Sequence, residues 1–362
     1  MPRAAVIMAG GPGTRLWPMS RKSRPKQLLP FGPGGKSLLR VSLERLLGPF
    51  ERRNIYVIAG AEQLPAVREE LPELPPENLI GEPSAKDTAN AIGLACAILA
   101  ERYPTATVGV FTADHIIEPI DQFQAAVKAA MAEIEYRPDY LGTFGIKPTW
   151  AHLGLGYIQR GEEFAEKPMP VFSVRSFTEK PDARTAQDYL DCGQYYWNSG
   201  MFIWKATTII QYLKTFLPAN AELLMQLATY FGTPDWPQQA AKTYDQLEKV
   251  SIDYAVMENA EKVLVVELPC RWADVGNWSE LKNVAKTDAA GNTTLAERLL
   301  TLASNDNILV SSDNNHLLAT IGVKDLIVVH TPDATLICSK DQAQRIKELV
   351  GRIEDEFFGS YI

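Results

Sequence analysis

The first 43 residues of this 362-residue chain contain no aspartate or glutamate. A proportional share of its 44 acids would place about five there, and eight Lys and Arg occupy the segment instead. A local basic stretch in a chain of formal net charge −8 argues against a broad nucleic-acid or membrane surface, which needs distributed positive potential, and points to a small anionic ligand. Long apolar runs are also missing. The first, Ala4 to Ala9, is too short for a signal-peptide core and ends in glycines, and no later stretch approaches the ~20 apolar residues of a membrane span. The expected location is therefore the cytoplasm. Cysteine is sparse too: Cys96, Cys192, Cys270 and Cys338 are scattered, form no C-x-x-C pair and lie among apolar residues, so buried reduced thiols are expected.

What is present is ordinary for a globular chain, 46% hydrophobic and 22% charged, with a length that suggests roughly two domains or one large α/β domain with an appendage. AAVIMAG (4–10), NIYVIAG (54–60), ENLIGEP (77–83) and TVGVFTADH (107–115) are short β-branched runs ending in Gly or a polar residue, as buried strands do. Helical patterns at 37–47, 61–71 and 87–103 alternate with them, the last opening on Asp-Thr as an N-cap. This rhythm predicts an α/β fold, Rossmann-like, with a mostly parallel mixed sheet covered on both faces. Longer, aromatic-rich strands follow from about residue 140, then helical segments at 207–259, then a return to strand and loop at VLVVELP and CRWADVGNW. From Asn307 the texture changes to ILVSS, HLLATIG, LIVVH and ATLICS before a charged helix. The predicted division is a catalytic domain at 1–290 and a small C-terminal β-rich domain with a capping helix at 291–362.

AAVIMAGGPGTR reads as a strand entering a glycine-rich turn, where backbone N–H groups can approach phosphate oxygens without Cβ interference. The dinucleotide fingerprint fails, because Leu16 stands where the third glycine belongs and no acid ends the second strand at Gly60. A nicotinamide enzyme is disfavoured on that ground. GPGGKS at 32–37 fails as a P-loop, since Pro30 stands five positions before Gly35. Arg15 and Lys26 lift the opening above a plain strand-to-helix turn, because Pro18, Pro25 and Pro30 limit the chain around them and hold the charges in place. Arg21, Lys22 and Arg24 read as a solvated basic face.

AGGPGTRLWPMSRKSRPKQ resembles the signature of sugar-phosphate nucleotidylyltransferases, and its LWPMSR and PKQ elements look like those of the mannose-1-phosphate guanylyltransferase family. GEPSAKDTANA, TADH, GLGYIQRG, FTEKP, WNSGMF, SIDYAVME and ADVGNW continue the resemblance in order along the whole chain. The resemblance implies transfer of GMP from GTP to mannose 1-phosphate with release of pyrophosphate, assisted by Mg²⁺, in a homodimer that uses neither nucleic acid nor membrane. It places Asp114 and Asp274 on the metal and makes them, with Arg15 and Lys26, the catalytic set. Gly10, Gly11, Gly13, Thr14, Arg15, Glu82 and Thr88 fall on the nucleotide. Gly156, Tyr157, Glu179, Lys180 and Asn198 fall on the sugar phosphate.

Several of these residues also have a plainer explanation. Asp114 suits a helix cap, Asp274 an Asx turn before Gly276, Glu179 and Lys180 an exposed ion pair, and Asn198 a turn before Gly200. His115 is expected to pack or cap, because a phosphate nucleophile is already ionised and needs no general base. The chain departs from the family at Lys86, where relatives often carry Arg, and at Thr112, where many carry Pro; the first loses a bidentate fork. Two further readings stay open: a nucleotidylyltransferase for another hexose 1-phosphate or nucleotide, and a non-catalytic regulatory relative that binds a nucleotide sugar.

Overall fold

The computed structural model describes residues 2–11, 13–166 and 169–362; Pro12 of the glycine-rich turn lies outside the described residues. Eleven strands build the larger part of the chain: β1 (Arg3–Met8), β2 (Ile55–Gly60), β3 (Leu79–Glu82), β4 (Thr107–Thr112), β5 (His115–Glu118), β6 (Leu141–Ile146), β7 (Tyr157–Ala165), β8 (Val171–Thr178), β9 (Tyr195–Lys205), β10 (Val263–Glu267) and β11 (Arg271–Asp274). Nine of them form one sheet in the order β3-β2-β1-β4-β9-β6-β10-β8-β7. The pairs among β3, β2, β1 and β4 are parallel, β9 runs antiparallel to both β4 and β6, and β7 and β8 add an antiparallel edge. The sheet is thus mixed, as expected, but not mostly parallel: β6 and β10 add one more parallel pair, while β9, β8 and β7 make their pairings antiparallel.

Both faces of the sheet are covered, which is why the β1 run RAAVIM is apolar without alternation. Ala4 and Val6 enter one cluster beneath the helices Thr88–Arg102, Ala206–Phe216 and Pro218–Ala228, while Ala5 and Ile7 enter another beneath Leu38–Leu46 and Ile120–Tyr136. Helix Thr88–Arg102 is buried on nearly every side from Ala89 to Leu99, and Asp87 caps it by accepting from Thr88 N, as its sequence predicted.

Strand order places the site. Chain connection runs outward from β1 through β2 to β3 and then returns to β4 on the other side of β1, so a crevice opens beyond the carboxyl ends of β1 and β4. Met8 is in register with Thr112, which sets Gly10 and Asp114 at matching positions two residues further on. The expected strand 107–115 is broken there: β4 ends at Thr112, Ala113 and Asp114 form a turn, and β5 starts at His115. Among the described residues β5 pairs only with β11, and that ribbon sets Asp274 opposite His115.

The C-terminal strands are β12 (Lys286–Thr287), β13 (Thr293–Leu295), β14 (Arg298–Leu302), β15 (Ile308–Ser311), β16 (Leu317–Ile321), β17 (Leu326–His330) and β18 (Thr335–Ser339), followed by the helix Ile346–Phe357. β13, β15 and β17 stack in parallel, β14 stacks on β16, and buried Asn292 accepts from both N and Nδ2 of Asn307 between the turns. Ile308, Val310, Ile327 and Val329 share one core with Leu16 and Trp17 of the opening segment. Each such side chain contributes roughly 1.5–3 kcal/mol on burial. The opening segment is therefore wedged between the two parts, with Trp17 Nε1 donating to Tyr361 O at 2.7 Å and Trp278 Nε1 to Trp17 O at 3.1 Å. The thiols depart from expectation: Cys96 is buried, but Cys192 is exposed and Cys270 and Cys338 are only partly covered, because the last three lie at element ends and on a two-sided strand.

Candidate active site

The glycine-rich turn is shaped by Lys26. A Cβ on Gly13 would lie 2.6 Å from Lys26 Cβ, and Gly13 sits at φ 61, so close approach and backbone conformation both demand glycine. Gly13 O accepts from Leu16 N and Ser20 Oγ, and Gln27 Nε2 donates to Gly10 O at 2.6 Å. Gly11 also has positive φ, Gly10, Gly11, Thr14 and exposed Arg15 follow the carboxyl end of β1, and Arg15 lines the cavity described below.

Lys26 Nζ is ion-paired with Asp114. Burial opposes ionisation of Asp114, yet the Lys26 ammonium paired with it outweighs that cost and holds the carboxyl well below its usual range. Burial also disfavours the charge on Lys26, but Asp114 and Asp274 together raise its pKa. For Asp274, burial and then the Asp114 charge push the carboxyl upward. Asp274 Oδ1 is buried with no hydrogen-bond partner, which does not fit an Asx turn but suits coordination of a cation. Ligand atoms of Asp114, His115 and Asp274 lie within 4.8 Å of one another. Oxygen donors of two acids suit a hard divalent ion that takes its remaining ligands from phosphates and water.

His115 is a packing residue in this geometry. Its Nδ1 meets Thr112 Oγ1 at 2.5 Å and accepts from Trp272 Nε1 at 3.2 Å, and burial lowers its pKa. The neutral ring therefore carries its proton on Nε2, 3.7 Å from Asp114 Oδ1. Beneath the turn lies Arg45, wholly buried, donating to His115 O and Thr112 O at 2.5 Å each; burial lowers its pKa to about 10. This clamp fixes Ala113 and Asp114. The sequence held a signal for it, since Arg45 falls one turn beyond Val41 and Ser42 on the apolar stripe of its helix.

Glu82 ends β3 beside Gly10, whose added Cβ would be 3.8 Å from Glu82 Oε2. Tyr244 OH donates to Glu82 Oε1 at 3.1 Å, and burial raises the carboxyl to about 7. Thr88 Oγ1 accepts from Ile252 N at 2.9 Å and Lys86 Nζ donates to Leu247 O at 2.9 Å, so both are engaged with the chain at the helix start.

Across the crevice, Gly156, Glu179 and Asn198 come together: a Cβ on Gly156 would lie 2.5 Å from Glu179 Oε2 and 3.3 Å from Asn198 Cβ, and Asn198 N donates to Gly156 O at 2.8 Å. Lys180 Nζ pairs with Glu179 at 3.0 Å and, with Arg15 and Asp274, lines a cavity of about 670 Å³ walled by Trp150 and Trp197. Tyr157 requires a correction. Expected to fall on the sugar phosphate, it is fully buried against Tyr189 and its hydroxyl accepts from His152 N, so it braces the loop behind the site. Asp253, not singled out in the sequence, joins this cluster by accepting from Asn198 Nδ2 at 3.0 Å.

An open sheet with a phosphate-approaching turn, a buried lysine and two acids at the strand ends describes a class of enzymes that move phosphate-linked groups. The nucleotidyl transferase family model matches residues 4–291, and the MannoseP isomerase/GMP-like beta-helix domain matches residues 298–353. The chain is 37% identical over 361 residues, 98% of its length, to a putative mannose-1-phosphate guanylyltransferase of Vibrio cholerae, of which it spans 75%. It is 38% identical over 357 residues, 96% of its length, to the mannose-1-phosphate guanylyltransferase of Escherichia coli, of which it spans 73%. A crystal structure described as mannose-1-phosphate geranyltransferase from Thermus thermophilus superposes with a TM-score of 0.85 at 32% identity, covering 98% of this chain and 100% of that one. The chain belongs to the nucleotidyl transferase family and, within it, to the mannose-1-phosphate guanylyltransferases. Among the described residues no helix is long and apolar enough to cross a membrane.

Proposed function

We propose that the chain transfers GMP from GTP to mannose 1-phosphate, giving GDP-mannose and pyrophosphate. A sugar-phosphate oxygen forms a bond to the α-phosphorus while the bond from that phosphorus to the β-phosphate oxygen breaks in line. Little covalent work falls to protein groups in such a displacement, so positioning and charge neutralisation supply the catalysis. The observation that carries this reading is the convergence of Lys26, Asp114 and unpartnered Asp274 Oδ1 at the mouth of β1 and β4. When bound, Mg²⁺ on Asp114 and Asp274 neutralises phosphate charge. Arg15, Lys26 and the amides around Gly10, Gly11, Gly13 and Thr14 bind the triphosphate, Arg15 offering a planar fork and Lys26 a compact charge.

Glu82 takes the base and Thr88 lies beside it. An ionised carboxylate accepts guanine N1–H and N2–H, whereas adenine turns an acceptor toward it and leaves it unpaired, at a cost of about 1–3 kcal/mol. Gly156, Glu179, Lys180 and Asn198 take mannose 1-phosphate. A homodimer and a cytoplasmic location belong to the same reading; the exposed apolar row of Leu300, Leu302, Leu317 and Ile321 supports self-association, which light scattering at two concentrations tests. Pyrophosphate release over a matrix of nucleoside triphosphates and hexose 1-phosphates tests the whole. The expected result is highest kcat/KM for GTP with mannose 1-phosphate, and equal values for GTP and ATP would overturn the base assignment.

A further inference from the structure

Asp253 has no part in the reaction as described, yet it sits where a hexose would be read. It begins a one-turn π-helix, Asp253–Met257, a wide turn of the kind that recurs at functional sites. Its Oδ1 accepts from Asn198 Nδ2 at 3.0 Å. The other end of the Asn198 amide is also occupied, because Oδ1 accepts from Thr143 Oγ1 at 3.2 Å and from Gly200 N at 3.2 Å. Gly200 N is a backbone donor that can never accept, so turning the amide over would set donor against donor there and give up the bond to Asp253. The amide is thereby locked. Since Nδ2 carries two hydrogens and Asp253 takes one, Asn198 keeps one N–H for a ligand and no free acceptor.

We propose that Asp253 is a positioning residue for the sugar phosphate: it fixes Asn198 as a hydrogen-bond donor, so that a hexose hydroxyl accepts from Asn198 and gives its own proton to the Glu179 carboxylate. This inference rests on the reading that Asn198 and Glu179 face the sugar. A hydroxyl has one hydrogen and two lone pairs, so one group placed between this donor and this acceptor satisfies both at once. An epimer that turns the hydroxyl aside leaves a donor and a carboxylate unpaired together, and a site built on a hydroxyl rejects its mis-set analogue for that reason. The immediate neighbours suit the task, with Gly156 giving Glu179 room and Lys180 paired to the Glu179 carboxylate rather than to Asp253.

The experiment is steady-state pyrophosphate release with GTP and either mannose 1-phosphate or glucose 1-phosphate, on wild type, Asp253→Ala and Asp253→Asn, with thermal melting to check folding. Asp253→Ala is expected to raise KM for mannose 1-phosphate at least about tenfold and to shrink its preference over glucose 1-phosphate by a similar factor, with KM for GTP within about twofold. Asp253→Asn keeps an acceptor of the same shape and is expected to recover most of the loss. Asp253→Ser is too short to hold Asn198 and gives the same comparison if Asp253→Ala does not fold. Wild-type activity with an unchanged sugar preference in the variants overturns the positioning role alone, as does an equal rise in both KM values or an Asp253→Asn no better than Asp253→Ala. A wild type that releases no pyrophosphate with either sugar phosphate overturns the functional reading and this inference with it.

Discussion

The two ends of the site are built from the same parts, two acids and a lysine, and differ in where the lysine lies. At one end Lys26 has a side chain only 15% exposed and acts on both Asp114 and Asp274. At the other, Lys180 is 56% exposed and pairs with Glu179, while Asp253 remains raised to about 7 by burial and then by the Glu179 charge. A cation inside the protein is poorly screened and holds its paired acid, Asp114, ionised even though Asp274 beside it stays raised; one at the surface shares its field with water and salt. The first end is thus suited to holding charge through a reaction, and the second to recognising hydroxyls. That contrast ranks the expected effects of substitution.

The largest effects belong at the buried end. Asp114→Asn and Asp274→Asn are each expected to lower kcat by about a hundredfold or more, the scale of losing one preorganised electrostatic group. Melting temperature should change little for Asp274→Asn, because its Oδ1 has no partner to lose. Limiting Mg²⁺ checks the assignment: if either variant keeps near wild-type turnover there, that acid does not hold the ion. Arg15→Ala belongs with these, with kcat falling more than KM for GTP rises, since the charge it meets grows as pyrophosphate leaves.

A sharper test sets the two lysines against each other. Lys26→Ala is expected to cost more in kcat than Lys180→Ala, which should mainly raise KM for the sugar phosphate, by roughly tenfold or less. Salt separates them further: between low ionic strength and about 0.5 M, the Lys180→Ala deficit should shrink markedly and the Lys26→Ala deficit should hold. Equal salt sensitivity would erase the contrast between buried and exposed cation.

Much of this arrangement was legible in the sequence because its signals are local. Gly13 before a constrained Lys26, acids at strand ends, and an Asp-Thr cap at helix Thr88–Arg102 each announce themselves within a few residues. Contacts made across long stretches of chain were not legible. The break between β4 and β5 was missed because β-branched residues run on through it; the interruption is clamped by Arg45, some 70 residues earlier, through the carbonyls of Thr112 and His115. Asp253 is visible in the sequence only as part of SIDYAVME, with no role of its own, and only the fold brings it onto Asn198, 55 residues away. β13 and β14 were missed for a different reason: TTL is short, and RLLTL turns Leu300 and Leu302 outward, so neither shows a polar outer face.

Glu82 extends the comparison to an acid with no lysine in its immediate company, and it gives the smallest expected effect. Its hydrogen-bond partner is the Tyr244 hydroxyl, and burial, which that bond only partly offsets, leaves the carboxyl at about 7. The sign follows from the raised value. Below that pH Glu82 is protonated and cannot accept from both guanine N1–H and N2–H; above it the ionised carboxylate accepts both. KM for GTP is therefore expected to fall as pH rises from 6 to 8, by roughly five- to tenfold, because one unit below its pKa only about a tenth of the group is ionised. GTP and the sugar phosphate titrate in the same range, so the measurement is the difference between wild type and Glu82→Gln, whose amide does not ionise. Loss of the GTP-specific slope in Glu82→Gln, with the sugar-phosphate profile unchanged, places the titration on Glu82; identical slopes in both proteins assign it to the substrates and remove Glu82 from guanine recognition.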